Sequence, residues 1–459
     1  MEANLDLIST LPQEVLLHIV SFLPLKEAVR SSILSTSWKS LWTRNHVHLD
    51  IGSDGIAANH EGVTQVIGEI LRSYSCPEMQ KLCLEFSKTG NEPDKLTLLA
   101  AKGVDKELHL DFAEEQQATR TFHLKLEHPS NQLPEIPSFA SLKILHLRAV
   151  SHLAENMLPA VFSKFVSLEY LKLENCIGLQ CLDIKAGGSL KSFSVLDCPD
   201  MADLTLSAPN LRSFSYRGAL PWIQLKNVDN LAYVMLDMAD GLGQNEFDCE
   251  VLLSLLASLK DVEILSLSGW LLEWLCSAGV IFRQLEFRFS KLKELSWIES
   301  SIDKPRRDSM ADFLDICPSL ERLFINIDRG RKSFACPHFH QFWHEPYFGM
   351  DYTTLKSSSS QAKHLKFVKL AGCSNQEDEL HLLDILLKKS VVLQSMIVAS
   401  AANHSWQVVK IPLSQLRLTT RRRTKQIATR LSPNKDCYFG FIEEENRSLS
   451  PFHELRRMT

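Results

Sequence analysis

The sequence predicts an α/β chain in which a short three-helix module precedes an irregular leucine-rich-repeat solenoid bent into a horseshoe-like arc. Three observations predict it. Residues 11–42 are densely apolar at helical spacing, with prolines at 12 and 24. From residue 79 to residue 370 an L-x-x-L-x-L pattern recurs. The 459-residue chain, 45% hydrophobic, is too long for one ordinary core and apolar enough to fold along most of its length.

In the N-terminal module, Pro12 suits a first helical turn, where its missing N–H costs nothing. Val15, Leu16, Ile19, Val20 and Leu23 then form one broad apolar face, and Pro24 ends the helix. Short helices are expected over 26–34 and 35–42. So few residues make a poor independent core, so the module needs a partner surface or the following domain.

The repeat is clearest at Leu168, Leu171, Leu173, at Leu190, Phe193, Val195, at Leu211, Phe214, Tyr216, at Leu320, Leu323, Ile325 and at Leu365, Val368, Leu370. Weaker copies begin at Leu142, Leu231, Val262 and Leu292. The anchors Leu168, Leu190, Leu211 and Leu231 follow one another at 22, 21 and 20 residues, inside the range of leucine-rich repeats; the next two intervals, 31 and 30, are long. Each repeat offers a strand to one shared sheet and cannot bury its apolar side alone, so neighbours stack. Cys176, Cys198 and Cys373 fall three residues past the last apolar position of the strand pattern, where a small polarizable side chain turns inward as packing.

Between residues 330 and 360 a His- and aromatic-rich insertion interrupts the repeats and ends in the loop-forming run Ser357, Ser358, Ser359, Ser360. A closing unit follows: a strand at 365–370, an amphipathic helix at 377–389 and a strand at 391–398. Residues 401–459, with basic Arg421, Arg422, Arg423 and Lys425 and acidic Glu443, Glu444 and Glu445, are assigned low order. The expected domains are therefore 1–50, 51–360, 361–400 and the charged tail 401–459.

Residues 11–30, from Leu11-Pro12 through Val29-Arg30, and residues 31–42, with Ile33-Leu34 and the terminal Trp38-x-x-Leu41-Trp42, closely resemble the F-box. The repeats and the closing unit resemble the plant family of F-box proteins with leucine-rich repeats and a C-terminal FBD-like segment. The resemblance implies that the first module binds a Skp-type adaptor and through it a cullin-RING ligase. The implied contacts are Leu11, Pro12, Leu16, Ile19, Leu23, Ile33, Leu34, Trp38, Leu41 and Trp42. The chain would then be the substrate-recognition subunit of a Skp-cullin-F-box ubiquitin ligase, holding an unknown target protein on its repeats. The alternative is a non-ligase interaction scaffold that uses both modules only for binding.

Other classes find less support. The formal net charge of −5 points to neither a nucleic-acid coat nor a membrane surface. No P-loop, HExxH, G-x-S-x-G or G-x-G-x-x-G is present, so no enzyme and no cofactor are expected. Cys336, His338, His340 and His344 have a spacing that could supply zinc ligands, but alternation on one face of a short strand is the preferred reading and no metal is assigned. The basic cluster reads as solvated surface, with a nuclear address ahead of nucleic-acid contact. Eleven cysteines without CxxC pairs fit reduced thiols, and no apolar run suits a membrane span, so the cytoplasm or nucleus is expected. Target contacts are sought on the concave face of the repeats, where Arg148, Lys172 and Glu174 are candidates.

Overall fold

In a computed structural model, residues 142–150, 166–240, 250–276, 280–331, 361–374 and 376–400 are described with their side chains, and residues 249 and 277 by their backbone. In the N-terminal module the described residues are 8, 11–20, 22–23, 27, 30–31, 33–38 and 41. Elsewhere the backbone of strands at 46–50, 81–85, 96–97, 107–111, 124–125, 405–412, 428–431 and 437–443 is described, with the side chains of Glu107 and His109.

The first elements are helix α1 (Gln13–Val20) and strands β1 (His46–Asp50), β2 (Lys81–Glu85), β3 (Leu96–Thr97), β4 (Glu107–Asp111), β5 (Leu124–Lys125), β6 (Ile144–Arg148), β7 (Tyr170–Glu174), β8 (Cys181–Lys185), β9 (Ser192–Leu196) and β10 (Asp203–Ser207). Next come β11 (Ser213–Arg217), β12 (Trp222–Lys226), β13 (Tyr233–Asp237), α2 (Cys249–Ser258), β14 (Ile264–Ser268), α3 (Trp270–Ser277), β15 (Glu294–Glu299), α4 (Lys304–Phe313) and β16 (Arg322–Ile327). The last are β17 (Phe367–Cys373), α5 (Glu377–Lys389), β18 (Ser395–Ser400), β19 (Ser405–Pro412), β20 (Ala428–Leu431) and β21 (Cys437–Glu443). They divide into two compact units, Met1–Leu211 with Ile223–Asn230, and Arg212–Trp222 with Leu231–Thr459.

In the first unit β1, β2, β4, β6, β7 and β9 lie side by side in that order, each pair parallel. Leu145, Leu171 and Phe193 share one rung of this ladder, and Leu147, Leu173 and Val195 share another; all six are buried. Their alternation with exposed or half-exposed neighbours in β6 and β7 is the two-residue period of a sheet with one face in the core. The anchors Leu142, Leu168 and Leu190 are buried as well, as are Cys176 and Cys198. The first three strands were not among the repeat copies expected from the sequence. Their only signal is a bare apolar-x-apolar step, as in Leu82-x-Leu84 and Leu108-x-Leu110.

The irregular repeat lengths have a structural cause. The repeats of 20 to 22 residues return through β8 and β10, which pair in parallel with each other, and through β12 beside β10. The longer repeats return through α2, α3 and α4, helices of eight to ten residues that need the additional chain.

In the second unit the order is β11, β13, β14, β15, β16, β17, β18, β19, β21, β20. The strands from β11 to β18 are parallel. Phe214, Val234, Leu265, Leu295, Leu323, Val368 and Met396 form one buried ladder; Tyr216, Leu236, Leu267, Trp297, Ile325, Leu370 and Val398 form the next. Phe313 of α4 stands edge-on to Trp297 at 5.9 Å and to Phe282 at 5.4 Å, which seats the helix on the sheet.

The closing unit forms around α5. Glu379 accepts the Gln376 N–H at 3.0 Å, which satisfies a helix-entry donor, and the acidic first turn and basic last turn suit the helix dipole. The strand expected at 391–398 begins later, at Ser395, and Val391 and Val392 are exposed. The tail assigned low order needs a correction. It contributes β19, β20 and β21; β21 lies between the other two and is antiparallel to both, and β19 is antiparallel to β18. The charge clusters drew attention from two runs rich in strand formers, Trp406, Val408, Val409 and Ile411, and Tyr438, Phe439, Phe441 and Ile442. Among the described residues no helix is long and apolar enough to cross a membrane.

Candidate docking surface

The N-terminal module sorts its apolar residues into two sets. Leu16, Val20, Trp38 and Leu41 form its interior, with Leu16 2% and Trp38 4% exposed, and Leu17 and Leu23 pack against them half-buried. The other set faces solvent: Leu11 at 37%, Ile19 at 37%, Phe22 at 73%, Leu34 at 64% and Ile33 at 86%, with Ile8 and Val15 also exposed. Helix geometry accounts for the split. Leu11, Val15, Ile19 and Phe22 are spaced by four, four and three residues, so they make one stripe on α1 and its two ends, while Leu16 and Val20 make the inward stripe.

The entry and exit of α1 hold that stripe in place. The Pro12 carbonyl accepts the N–H groups of Val15 at 3.0 Å and Leu16 at 3.1 Å. After Val20, turn bonds from Phe22 to Ile19 and from Leu23 to Val20 end the helix, and the His18 ring meets Phe22 edge-on at 4.8 Å. Ile33 and Leu34 are carried by turn bonds to Arg30 and Ser31. Of the ten predicted contact residues, Leu11, Pro12, Ile19, Ile33 and Leu34 lie at the surface and Leu23 at its edge. Leu16, Trp38 and Leu41 lie beneath, and Trp42 is outside the described residues. Ile8, Val15 and Phe22 belong to the exposed set without having been singled out. The four-residue step from Leu11 to Val15 to Ile19 was the signal for Val15.

On the repeats of the first unit, the three candidates on the outward face form one ionic cluster. Glu174 receives Lys172 at 3.1 Å, His146 at 3.5 Å and Arg148 at 3.6 Å. The adjacent His146 ring, then Lys172 and Arg148, overcome partial burial and hold the Glu174 carboxyl down at about 2. His109 and His146 stand edge-on with ring centres 5.6 Å apart.

The family description "At1g61320/AtMIF1, LRR domain" matches residues 112–423, and the F-box domain matches residues 8–50. The chain belongs to the plant-type F-box family with leucine-rich repeats. Its similar proteins in Arabidopsis thaliana include the FBD-associated F-box protein At1g61320, 24% identical over 438 residues, covering 88% of this chain and 92% of that one. Another is the F-box/FBD/LRR-repeat protein At4g26340, 24% identical over 365 residues, 72% of this chain and 79% of that one. A third is the F-box/LRR-repeat protein At5g02910, 24% identical over 422 residues, 86% of this chain and 88% of that one.

In this F-box/LRR chain the zinc candidates Cys336, His338, His340 and His344 lie outside the described residues, as does the basic cluster at Arg421, Arg422, Arg423 and Lys425. Among the described residues no group of three or more His, Cys, Asp or Glu side chains is placed to hold a metal ion.

Proposed function

We propose that this chain is the substrate-recognition subunit of a Skp-cullin-F-box ubiquitin ligase, docking on the Skp-type adaptor through its F-box and holding a target protein on its repeats. The observation that carries the proposal is the stripe of Leu11, Val15, Ile19 and Phe22, with Ile33 and Leu34, left in solvent although the module already has an interior. Covering one such side chain is worth roughly 1.5 to 3 kcal/mol, so a contiguous set of them is a docking surface rather than scattered surface apolarity. In this proposal Leu11, Pro12, Ile19, Ile33 and Leu34 touch the adaptor directly, with Leu23 at the rim, and Trp42, outside the described residues, is a further proposed contact. Leu16, Trp38 and Leu41 position that surface from below.

The proposed division of labour follows the expected domains: a three-helix F-box at 1–50, a curved repeat solenoid at 51–360, the FBD-like unit at 361–400 and the tail beyond. The chain performs no bond chemistry in this reading. It raises the local concentration of a target near a charged conjugating enzyme, so its effect is one of positioning.

Affinity purification of the intact chain from cells with the proteasome blocked, beside a Leu11→Ala, Pro12→Ala variant, tests it. Adaptor and cullin should accompany the intact chain and be lost together from the variant, while target proteins stay with both. Adaptor without cullin on the intact chain would favour the scaffold reading, and adaptor retained by the variant would refute the docking surface.

A further inference from the structure

Cys176 and Cys198 occupy the same place in adjacent repeats of the first unit. Glu174 and Leu196 are the last paired residues of β7 and β9, and each cysteine stands two residues further on. The chain path between is matched too. Asn175 and Asp197 both take left-handed backbone, with φ of 52° and 54°, and the Asn175 N–H donates to the Leu196 carbonyl at 2.9 Å. The parallel register of β7 and β9 therefore sets the two side chains beside each other. Neither is committed to a strong partner elsewhere: Cys176 Sγ lies 3.7 Å from the Leu147 carbonyl and 3.6 Å from that of Glu174, and Cys198 Sγ lies 3.6 Å from that of Leu196.

We infer that Cys176 and Cys198 are a redox-modifiable pair that closes to an intramolecular disulfide under peroxide, stapling two neighbouring repeats together. Adjacent parallel chains run about 4.8 Å apart, which is inside the roughly 4.4 to 6.8 Å between α-carbons that a disulfide spans. The roles of the two sulfurs follow from their opposite surroundings. The neighbouring Cys198 lowers the Cys176 thiol against the effect of burial, whereas Cys176 and burial push Cys198 up. Cys176 is therefore the first nucleophile. Its thiolate attacks one oxygen of hydrogen peroxide; the S–O bond forms, the O–O bond breaks and hydroxide leaves, taking a proton to become water. The Cys198 thiolate then attacks the Cys176 sulfenic acid and displaces hydroxide as the S–S bond forms. Two thiols and one peroxide give one disulfide and two waters. Both side chains are buried, which selects a small uncharged oxidant over a bulky disulfide such as oxidised glutathione.

The full chain carrying Cys181→Ser allows a clean test, because trypsin leaves Cys176 and the exposed Cys181 on one peptide, residues 173–185. After hydrogen peroxide, non-reducing mass spectrometry should show peptide 173–185 joined to peptide 192–212, which holds Cys198, and dithiothreitol should separate them. The oxidised chain should also melt at a higher temperature than the reduced one, and the added Cys198→Ser change should remove both effects. Both thiols still alkylatable after denaturation, at a peroxide dose that oxidises Cys181 in the parent chain, would overturn the inference. So would a cross-link found only between two molecules.

Discussion

Asp237, at the end of β13, receives both arms of the Arg331 guanidinium, although 94 residues of chain separate the two. The Ser268 hydroxyl donates to the same carboxylate at 3.1 Å, and Asp237 is almost fully buried. Three repeats are thus tied at the ends of their strands. Removing Arg331 leaves the Asp237 carboxylate buried without a counter-charge, held only by the Ser268 hydroxyl. Arg331→Ala should therefore destabilise the chain by about 3 kcal/mol, seen as a lower urea midpoint. The double change with Asp237→Asn should cost less than the two single changes summed, because each removes the same interaction.

Glu299 supplies a pH dependence of predictable sign. Burial raises its carboxyl to about 8, against help from the Trp297 indole N–H at 2.9 Å and from Arg306 at 3.6 Å. Burial wins because Arg306 is already engaged by Glu273 at 3.1 Å and the Ser301 hydroxyl at 2.7 Å. The folded chain holds this proton more tightly than the unfolded chain, so stability is greatest below the ordinary carboxylate range. It is lost as pH climbs from there through about 8. Glu299→Gln should flatten that slope, gaining on the order of 2 kcal/mol or more at pH 8 and little at pH 4. Denaturation at the two pH values checks it; equal shifts at both would show the carboxyl to be ionised throughout.

Gly372 marks a bulge between β17 and β18, with pairing shifted between Ala371 and Cys373. Its φ is +79°, and an added Cβ would stand 2.0 Å from the Ile327 carbonyl oxygen, a backbone atom that cannot swing aside. Gly372→Ala should cost upwards of about 2 kcal/mol through strain and collision together, measured by thermal melting.

Leu171 sits in the stacked core of the first unit, between Leu145 and Phe193 on its rung. Leu171→Asp should cost on the order of 4 kcal/mol, the price of an unpaired charge in an apolar ladder, and should abolish the cooperative melting of the repeats.

These tests also show which features sequence could reveal. The nine written repeat copies place every apolar anchor in the core because the two-residue period and the anchor leucine depend on local chain alone. Helix α5 was equally legible, since its acidic start and basic end are local signals. The Arg331–Asp237 fork and the burial of Glu299 were not, because their partners come from distant repeats. In the F-box the resemblance implied ten contact residues without sorting them into inward and outward sets. Only packing assigns Leu16, Trp38 and Leu41 inward and leaves Leu11, Ile19, Ile33 and Leu34 outside.

The most direct measurement is the dissociation constant of a purified Skp-type adaptor for the intact chain and for the Ile19→Asp, Ile33→Asp variant, with melting followed in parallel. Both positions are exposed, so melting should be unchanged while binding weakens by about 100-fold or more, the equivalent of roughly 2.7 kcal/mol from two uncovered apolar contacts. Undiminished affinity with a folded variant would contradict docking through this stripe.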